Sequence, residues 1–304
     1  MDRRIKFRHL EAFSAIARAG SFKIAAAQLH LTQPAISKTL KELEEILGVT
    51  VLERSRSGVA LTAQGEVFLG FAEQSTAALR HGLHSIRATY GAAGRLKIGA
   101  LPSVASGLVP RAALDFAARN PDTLLEVHEG PYHDLTQRLR GGGLDLVVGR
   151  LGRPETMAGL EFRQLYTEQV VVVARPDSPA AALRDIVALD AYRVLYPPKD
   201  SAIRPLLARH LITQGVPLFR NRIESASPNF ARTILLADPD TVWMISHGVV
   251  AGDLANGRLV ALDFDMRATL GAVGIISRAE EVASVAAKSF CRALANAGPQ
   301  DSTA

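Results

Sequence analysis

The chain has 304 residues, of which 48% are hydrophobic and 6% aromatic. This composition excludes a disordered or collagen-like chain, and the length, at roughly 150 residues per domain, indicates two or three domains. The formal net charge is +5, with 12 Lys and Arg against 8 Asp and Glu in residues 1–90 and 23 against 22 in residues 91–304, so the basic first segment suggests an anionic partner, most simply nucleic acid, although such an excess is also common on ordinary surfaces.

The cysteine content and the length of the apolar runs indicate the cellular compartment in which the protein is expected. Cys291 is the single cysteine, which excludes an intramolecular disulfide and a cysteine-cluster metal site. Residues 1–9 are charged where a signal peptide is apolar, and the apolar run 170–174 is far shorter than the roughly 20 residues that span a bilayer. We therefore expect a cytoplasmic protein without a membrane partner.

The N-terminal residues predict three helices in succession. Apolar residues recur at spacings of three and four over residues 5–18, which predicts an amphipathic helix. Ser21 is placed to cap a short second helix over residues 22–30, and Thr32 to cap a third. Pro34 falls in the first turn of the third helix, where its missing N–H costs nothing.

A hairpin and a long helix are predicted next. Two extended segments, residues 51–54 and 59–61, flank a basic tip and resemble a wing. From Thr62 a helical pattern continues for about 26 residues with an apolar stripe in alternating steps of four and three. The stripe packs either on its own domain or, as is usual for so long a helix between domains, on a second copy of the chain. Its residues are Phe68, Ala72, Ser75, Leu79, Gly82 and Ile86.

Beyond Arg95, short apolar runs alternate with helical stretches, which predicts an α/β fold with largely parallel sheets. Residues 96–149 form a first β-α-β-α-β set and residues 169–262 a second. The last strand and helix, residues 270–277 and 280–294, resemble the first set. Two such lobes place a cleft between them at the carboxyl ends of strands, where α/β sheets bind ligands.

The strongest local signal lies at the turn between the second and third helices. The N-terminal face of the third helix holds Gln33, Ser37, Lys38 and Lys41, and its apolar residues face the other way. This arrangement places side chains in the major groove of DNA. The alternative is a helical hairpin with a solvated polar face, but the wing arginines Arg54 and Arg56 favour DNA binding.

Residues 22–66 resemble the winged helix-turn-helix of LysR-type transcriptional regulators, including the Thr62-x-x-Gly65 motif at the start of that family's linker helix. Within the family, the chain resembles the subgroup that controls protocatechuate catabolism, with a sugar-responsive regulator as a near relative. The segments that carry this finer resemblance are residues 3–10, 144–151 and 242–250.

The resemblance implies an α+β protein with three parts. A winged helix-turn-helix is expected in residues 1–62, a dimerising linker helix in residues 63–90, and an α/β effector domain in residues 91–304. The glycines between 91 and 94 indicate a hinge. The effector domain is expected to form two lobes that resemble periplasmic binding proteins. Their expected bounds are residues 95–167 with 268–304 for lobe I, and residues 168–267 for lobe II.

The resemblance also implies DNA-contacting residues. Arg54 corresponds to the wing, and Arg56 adds a second cation there. The family most often has arginine where this chain has Lys38; because lysine is a point charge without a planar fork, a phosphate or single-acceptor contact is expected there as readily as bidentate recognition of guanine. The implied groove-contacting positions are Thr32, Gln33, Pro34, Ser37 and Lys38.

The family's effector positions map to strand ends of lobe I and facing loops of lobe II. Hydroxyls and arginines converging there suit a carboxylated ligand. Plainer alternatives are that Arg150 pairs with Glu129 or Asp145, and that Ser201 and Ser227 cap helices. The mapped residues are Ser103, Val104, Glu129, Gly130, Arg150, Ser227, Pro228 and Asn229, to which the loop at a helix N-terminus adds Ser201 and Arg204.

These features predict a DNA-binding transcriptional regulator, a homodimer or homotetramer, that binds an inverted-repeat operator with half-sites about one helical turn apart. A small carboxylate inducer is the expected ligand, and RNA polymerase is left open as a further partner. The sequence lacks G-x-S-x-G, H-E-x-x-H and P-loop motifs, and His81 with His84 makes an incomplete metal site, so we expect no catalytic residue, metal or cofactor. The rival from another class is a small-molecule-binding protein or enzyme of the binding-protein fold.

Overall fold

The computed structural model describes residues 4–55, 58–89, 94–279 and 281–298. The chain divides into two compact units, one of residues 1–92 with 140–143 and one of residues 93–139 with 144–304. The hinge predicted at residues 91–94 lies, except for Gly94, outside the described residues.

In its described residues, the N-terminal unit contains three short helices, a two-stranded antiparallel hairpin and one long helix. They are α1 (Phe7–Ala19), α2 (Phe22–Gln28), α3 (Gln33–Leu47), β1 (Leu52–Ser55), β2 (Gly58–Leu61) and α4 (Ala63–Thr89). This order of elements is that of a winged helix-turn-helix followed by a linker helix.

Local capping signals set the ends of the short helices. The hydroxyls of Ser21 and Thr32 each accept a hydrogen bond from the backbone N–H three residues further on, at 3.5 Å and 3.4 Å, so both predicted caps are confirmed. Gly20 and Gly48 end α1 and α3 with φ of 59° and 69°, a left-handed conformation that glycine adopts without strain.

Helix α3 packs one face against α1. Ile36 and Leu43 are fully buried and Leu40 nearly so, in a core that includes Phe13 and Ile16 of α1. Each such side chain contributes about 1.5 to 3 kcal/mol when it leaves water. The amphipathic pattern of α3 therefore determines which of its faces remains open to solvent.

The apolar stripe of α4 is divided in a way that the heptad pattern did not predict. Phe68 packs against Phe13 with ring centroids 5.4 Å apart, and Ala72 is buried in the core of the same unit. Val67 and Phe71 instead leave about two thirds of their surface exposed, at 66% and 64%. The prediction that Phe68 and Ala72 form an intermolecular seam is thus wrong, because these residues are already packed within their own unit.

The second unit begins with a five-stranded sheet that forms lobe I. The strand order is β4-β3-β5-β12-β6; β3, β4 and β5 are parallel, and β12 is antiparallel to both of its neighbours. The strands are β3 (Gly94–Ala100), β4 (Thr123–Glu129), β5 (Leu146–Arg150), β6 (Leu160–Glu168) and β12 (Gly271–Arg278). The helices are α5 (Pro102–Ala105), α6 (Leu108–Arg119), α7 (Tyr132–Arg140) and α11 (Val285–Ala297).

Lobe II is built on a second five-stranded sheet of order β11-β7-β10-β8-β9, in which β8, β9 and β10 are parallel and β7 pairs antiparallel with β10 and β11. The strands are β7 (Val170–Ala174), β8 (Arg193–Tyr196), β9 (Arg222–Glu224), β10 (Thr241–Ser246) and β11 (Val260–Ala261). The helices are α8 (Arg204–Thr213), α9 (Pro228–Ala237) and α10 (His247–Ala255).

Two crossings of the chain join the lobes. The first runs directly from β6 into β7, and the second leads from β11 into β12. Each lobe has its own core; in lobe I, for example, Phe116 of α6 and Phe290 of α11 meet edge to face at 5.5 Å. Among the described residues, no helix combines the length and apolarity needed to cross a bilayer.

Candidate nucleic-acid interface and ligand cleft

The outer face of α3 is polar and open. The five side chains expected to enter the major groove are all exposed: Thr32, Gln33, Pro34, Ser37 and Lys38. The buried residues of the same helix lie on the opposite face, against α1. The first turn of α3 therefore presents hydrogen-bonding groups and a cation on a rigid, well-packed element, as a helix that enters a major groove must.

Contacts from α1 hold the middle of α3 in place. Glu42 accepts a hydrogen bond from Arg8 at 2.9 Å and lies 3.4 Å from Nε2 of the buried His9. Desolvation opposes the charge of Glu42, but the hydrogen bonds from Arg8 and His9 lower its pKa below the ordinary value. Because Nδ1 of His9 accepts the N–H of Lys6 at 3.1 Å, a neutral His9 donates to Glu42 through Nε2.

The structure describes the two arginines of the wing only in part. Arg54 lies on β1, opposite Val59 of β2, but its side chain is outside what the structure describes. Arg56 belongs to residues 56–57 at the tip of the hairpin, which the structure does not describe. The side chains of His81 and His84 on α4 are likewise outside the described set.

A cleft lies between lobes I and II. Five of the ten residues expected to bind an effector line it, together with an aromatic and apolar wall from Tyr132, Trp243, Ile245 and Val249. The five predicted residues that line it are Ser103, Arg150, Ser201, Ser227 and Pro228.

The other five predicted residues do not line this cleft. Val104 is fully buried in the core of lobe I. Glu129 and Gly130 border a separate, more open depression beside Asp134. Arg204 and Asn229 follow cleft-lining segments in the chain without lining the cleft themselves.

Arg150, which ends β5, is engaged by the protein itself. Its side chain is 3% exposed and forms an ion pair with Glu168 at 3.5 Å. It also donates hydrogen bonds to the Glu168 carbonyl at 2.8 Å and to the Ser246 hydroxyl at 3.2 Å. The predicted pairing with Glu129 or Asp145 is wrong: Asp145 instead accepts the backbone N–H of Lys97, which brings its strand alongside β3.

Glu168, the partner of the cleft-lining Arg150, is a residue that the sequence analysis missed. It ends β6 at the first crossing between lobes, and its Oε1 accepts the backbone N–H of Gly248 in the first turn of α10, at 2.5 Å. Burial raises the pKa of Glu168, although Arg150 and the Gly248 N–H act in the opposite direction, and burial lowers the pKa of Arg150. The pair links the ends of β5 and β6 to α10 of the other lobe, and the charge of Arg150 is already compensated.

Arg204 does not line the cleft but contacts residues next to a cleft-lining loop. Its guanidinium lies 4.4 Å from the ring centroid of Tyr196, pairs with Glu224 at 3.2 Å and donates to the carbonyl of Pro197. The loop that begins at Pro197 carries Ser201 into the cleft. Arg204 therefore contributes to the cleft by holding this loop in position.

The two serines in lobe II differ in their local bonding. The Ser227 hydroxyl accepts the N–H of Phe230 at 3.3 Å and so caps α9, as the plainer alternative held. Ser201 makes no such cap: α8 begins without a side-chain cap, and the Ser201 carbonyl accepts the N–H of Arg204. The Ser201 hydroxyl is accordingly the freer of the two for a ligand.

Comparison with known protein families matches almost the whole chain. Residues 7–66 match the "Bacterial regulatory helix-turn-helix protein, lysR family" and residues 90–299 match the "LysR substrate binding domain". The chain is 40% identical over 300 residues to the HTH-type transcriptional regulator PcaQ of Agrobacterium fabrum, covering 98% of this chain and 96% of that protein. It is 33% identical to the uncharacterized HTH-type transcriptional regulator YdcI of Escherichia coli, covering 97% and 95%.

Solved structures show the same fold at lower sequence identity. CbnR, a LysR family transcriptional regulator, superposes with a TM-score of 0.59 at 20% identity, covering 97% of this chain and 99% of that one. CbnR complexed with its target DNA gives 0.57 at 22% identity, covering 97% and 100%. Taken with the family matches and the curated relatives, these findings show that the chain belongs to the LysR family of DNA-binding transcriptional regulators, with a helix-turn-helix domain and a two-lobed effector-binding domain, and is not an enzyme.

Proposed function

We propose that the protein binds an inverted-repeat operator through α3 and the wing of two paired protomers. The observation that carries this proposal is the separation of faces on α3, where an exposed polar N-terminal turn stands opposite a fully packed apolar side. Thr32, Gln33, Pro34, Ser37 and Lys38 enter the major groove, and Arg54 and Arg56 contact the flanking backbone or minor groove. The functional division is residues 1–62 for DNA binding, 63–90 for pairing and 91–304 for the effector.

Pairing of protomers uses the exposed side of α4. Val67, Phe71 and Leu79 are 66%, 64% and 47% exposed and recur at spacings of four and eight on one helix. Several large apolar side chains exposed to this extent along one helix are typical of a surface that a partner covers. LysR-type regulators form oligomers, and a homodimer or a homotetramer of this chain would cover this surface.

The cleft between the lobes is proposed to bind a small carboxylate inducer. Hydroxyls of Ser103, Ser201 and Ser227 offer donors around its rim, and the α9 N-terminus at Ser227 adds a favourable potential for an anion. Trp243 and Tyr132 provide surface for an apolar or unsaturated ligand body. This chemistry suits acids from the catabolism of protocatechuate, the pathway expected from the sequence resemblance.

The inducer acts by its different affinities for two conformations of the effector domain, since a ligand that binds both equally shifts nothing. Residues of both lobes line the cleft, so a bound ligand favours the arrangement in which both sets of contacts are made. We place this switch in the cytoplasm and include RNA polymerase among the partners of the DNA-bound regulator.

The decisive experiment is binding of the full-length protein to duplexes from its own upstream region across a series of salt concentrations. Because neutralised phosphates release counterions, the logarithm of the affinity should fall linearly with the logarithm of the salt concentration. A cognate duplex should also bind at least about 1,000-fold more tightly than random DNA. Equal affinity for both duplexes would reject operator recognition.

The ligand is tested separately by a thermal-shift screen of ring-cleavage acids and sugars. A ligand at 100 times its Kd stabilises the domain by about 2.7 kcal/mol. Stabilisation by di- or tricarboxylates and not by sugars supports the proposal. The reverse result would favour a sugar-responsive regulator of the same family.

A further inference from the structure

Three elements of the N-terminal unit meet at one short backbone segment, residues 50–52. Glu44 lies in the last turn of α3, and its Oε1 accepts the backbone N–H of Val51 at 2.9 Å and that of Leu52 at 3.3 Å. The segment leads directly into β1 of the wing. One carboxylate oxygen thus fixes the start of the wing against the end of α3, which is the recognition helix of the proposed DNA complex.

The beginning of α4 binds the opposite side of the same segment. Thr62 donates its backbone N–H to the Val51 carbonyl at 3.2 Å and its hydroxyl to the Thr50 carbonyl at 2.8 Å. The Thr62 hydroxyl also accepts the N–H of Gly65 at 3.0 Å. At Gly65, a Cβ atom would lie 1.9 Å from the Val51 carbonyl oxygen, so only glycine permits this close approach.

Further contacts fix α4 in a second place. Phe68 packs on Phe13 of α1, and Glu73, which is mostly buried, pairs with Arg18 at 2.8 Å. A helix held both at its first turn and two to three turns later cannot rotate about either attachment alone. Recognition helix, wing and the first turns of α4 therefore form one rigid body.

We propose that the junction of Glu44, residues 50–52, Thr62 and Gly65 determines which half-site spacing the regulator accepts, with Glu44 as a positioning residue. The inference rests on the proposed paired binding to an inverted repeat. When two protomers pair through α4, the angle between α3 and α4 becomes the distance and rotation between the two recognition helices. One base pair of added spacing moves a half-site by about 3.4 Å and rotates it by roughly 35°. A rigid junction prevents the two α3 helices from adapting to such a change, so both half-sites are no longer contacted together. A loosened junction allows the helices to adapt.

Spacing preference is measured with full-length protein on fluorescent duplexes. The inverted repeat that wild type selects from a random pool is remade with one or two base pairs added or removed, and a duplex with a single half-site serves for comparison. Wild type should lose about tenfold or more in affinity for each base pair changed. Glu44→Ala, which removes the acceptor, should lose less than about threefold, with single half-site affinity within about twofold of wild type.

A conservative variant separates geometry from charge. In Glu44→Gln the side-chain carbonyl oxygen can still accept both N–H groups although the charge is gone, so this variant should keep the wild-type spacing preference. Glu66→Gln, at an exposed position in the first turn of α4, is the matched control for loss of one negative charge and should also keep it. Thr62→Val removes the hydroxyl without changing side-chain shape and should broaden the preference as Glu44→Ala does.

Each outcome decides the matter. Wild-type spacing preference in Glu44→Ala, or a broadened preference in Glu44→Gln, would overturn the role of the acceptor. If Glu44→Ala does not fold, Thr62→Val decides: retention of the wild-type preference overturns the proposal. Wild-type protein that binds all spacings equally would overturn paired recognition of an inverted repeat as well, which distinguishes failure of the proposed function from failure of this inference alone.

Discussion

Removal of Arg150 should expose how strongly the cleft depends on its buried ion pair. In Arg150→Met a side chain of similar length remains, but Glu168 loses its counter-charge. Both side chains are almost inaccessible, at 3% and 5% exposed, so water cannot replace the lost partner. Removing one member of such a pair costs about 3 to 5 kcal/mol at neutral pH.

The stability that Arg150→Met loses relative to wild type should also depend on pH. Burial raises the pKa of Glu168 above the ordinary value of a glutamate, which it has in the unfolded chain, and without Arg150 the pKa rises further. Between the unfolded and folded pKa values the native state binds more protons, so its stability falls as pH rises, by up to about 1.4 kcal/mol per pH unit. The deficit of Arg150→Met relative to wild type should therefore be largest near pH 8 and shrink towards pH 5.

Trp243 makes this measurement direct. It is the single tryptophan, it is buried on β10, and it lines the cleft, so its fluorescence follows unfolding of the effector domain in urea. Arg267→Met is the control, because Arg267 is 81% exposed and pairs with an exposed Asp265; it should leave the midpoint unchanged. A deficit below about 1 kcal/mol, or one that does not change between pH 5 and pH 8, would refute the reasoning.

Three further outcomes follow from the described surfaces. Gln33→Ala should cost about 1 to 3 kcal/mol at the cognate site and relax base preference, measured by anisotropy on cognate and random duplexes; an unchanged ratio between them would exclude base recognition by this residue. Phe71→Glu should yield monomers in light scattering with a folded N-terminal unit, whereas Phe68→Glu should unfold that unit; an intact oligomer in Phe71→Glu would exclude the exposed face of α4 as the pairing surface. Ser201→Ala should weaken inducer binding by about 2- to 10-fold in calorimetry through loss of one hydrogen bond, and Arg204→Gln should do so through the displaced loop with operator affinity unchanged; full affinity in both variants would remove this loop from the ligand site.

Much of the N-terminal unit was predictable because its signals are local. Caps at Ser21 and Thr32 and left-handed glycines at the ends of α1 and α3 act within four residues of themselves, so the sequence pattern alone locates them. The direction of the α4 stripe was not predictable in the same way. Phe68 and Phe71 are both apolar and three residues apart, and only the position of α1 decides which of them is covered.

The cleft was predictable in outline but not in its charges. Residues that follow strand ends, such as Ser103 and Ser227, do line it because parallel strands bring those ends together. The partner of Arg150 depends on β6 and α10, two elements that the apolar pattern did not predict: β6 mixes polar and apolar residues, and α10 contains two glycines that weaken a helical pattern. Because neither element was predicted, the sequence pattern did not indicate that Glu168 lies beside Arg150.

The most direct test of the account is a titration of the full-length protein with di- and tricarboxylates from protocatechuate ring cleavage, followed at once by Trp243 fluorescence and by anisotropy of the operator duplex. We predict saturable quenching or enhancement of Trp243 by a carboxylate, at concentrations that also change operator affinity by about 5- to 150-fold. Sugars should change neither signal. Saturable sugar binding without carboxylate binding, or carboxylate binding with no change in operator affinity, would contradict a carboxylate-switched regulator.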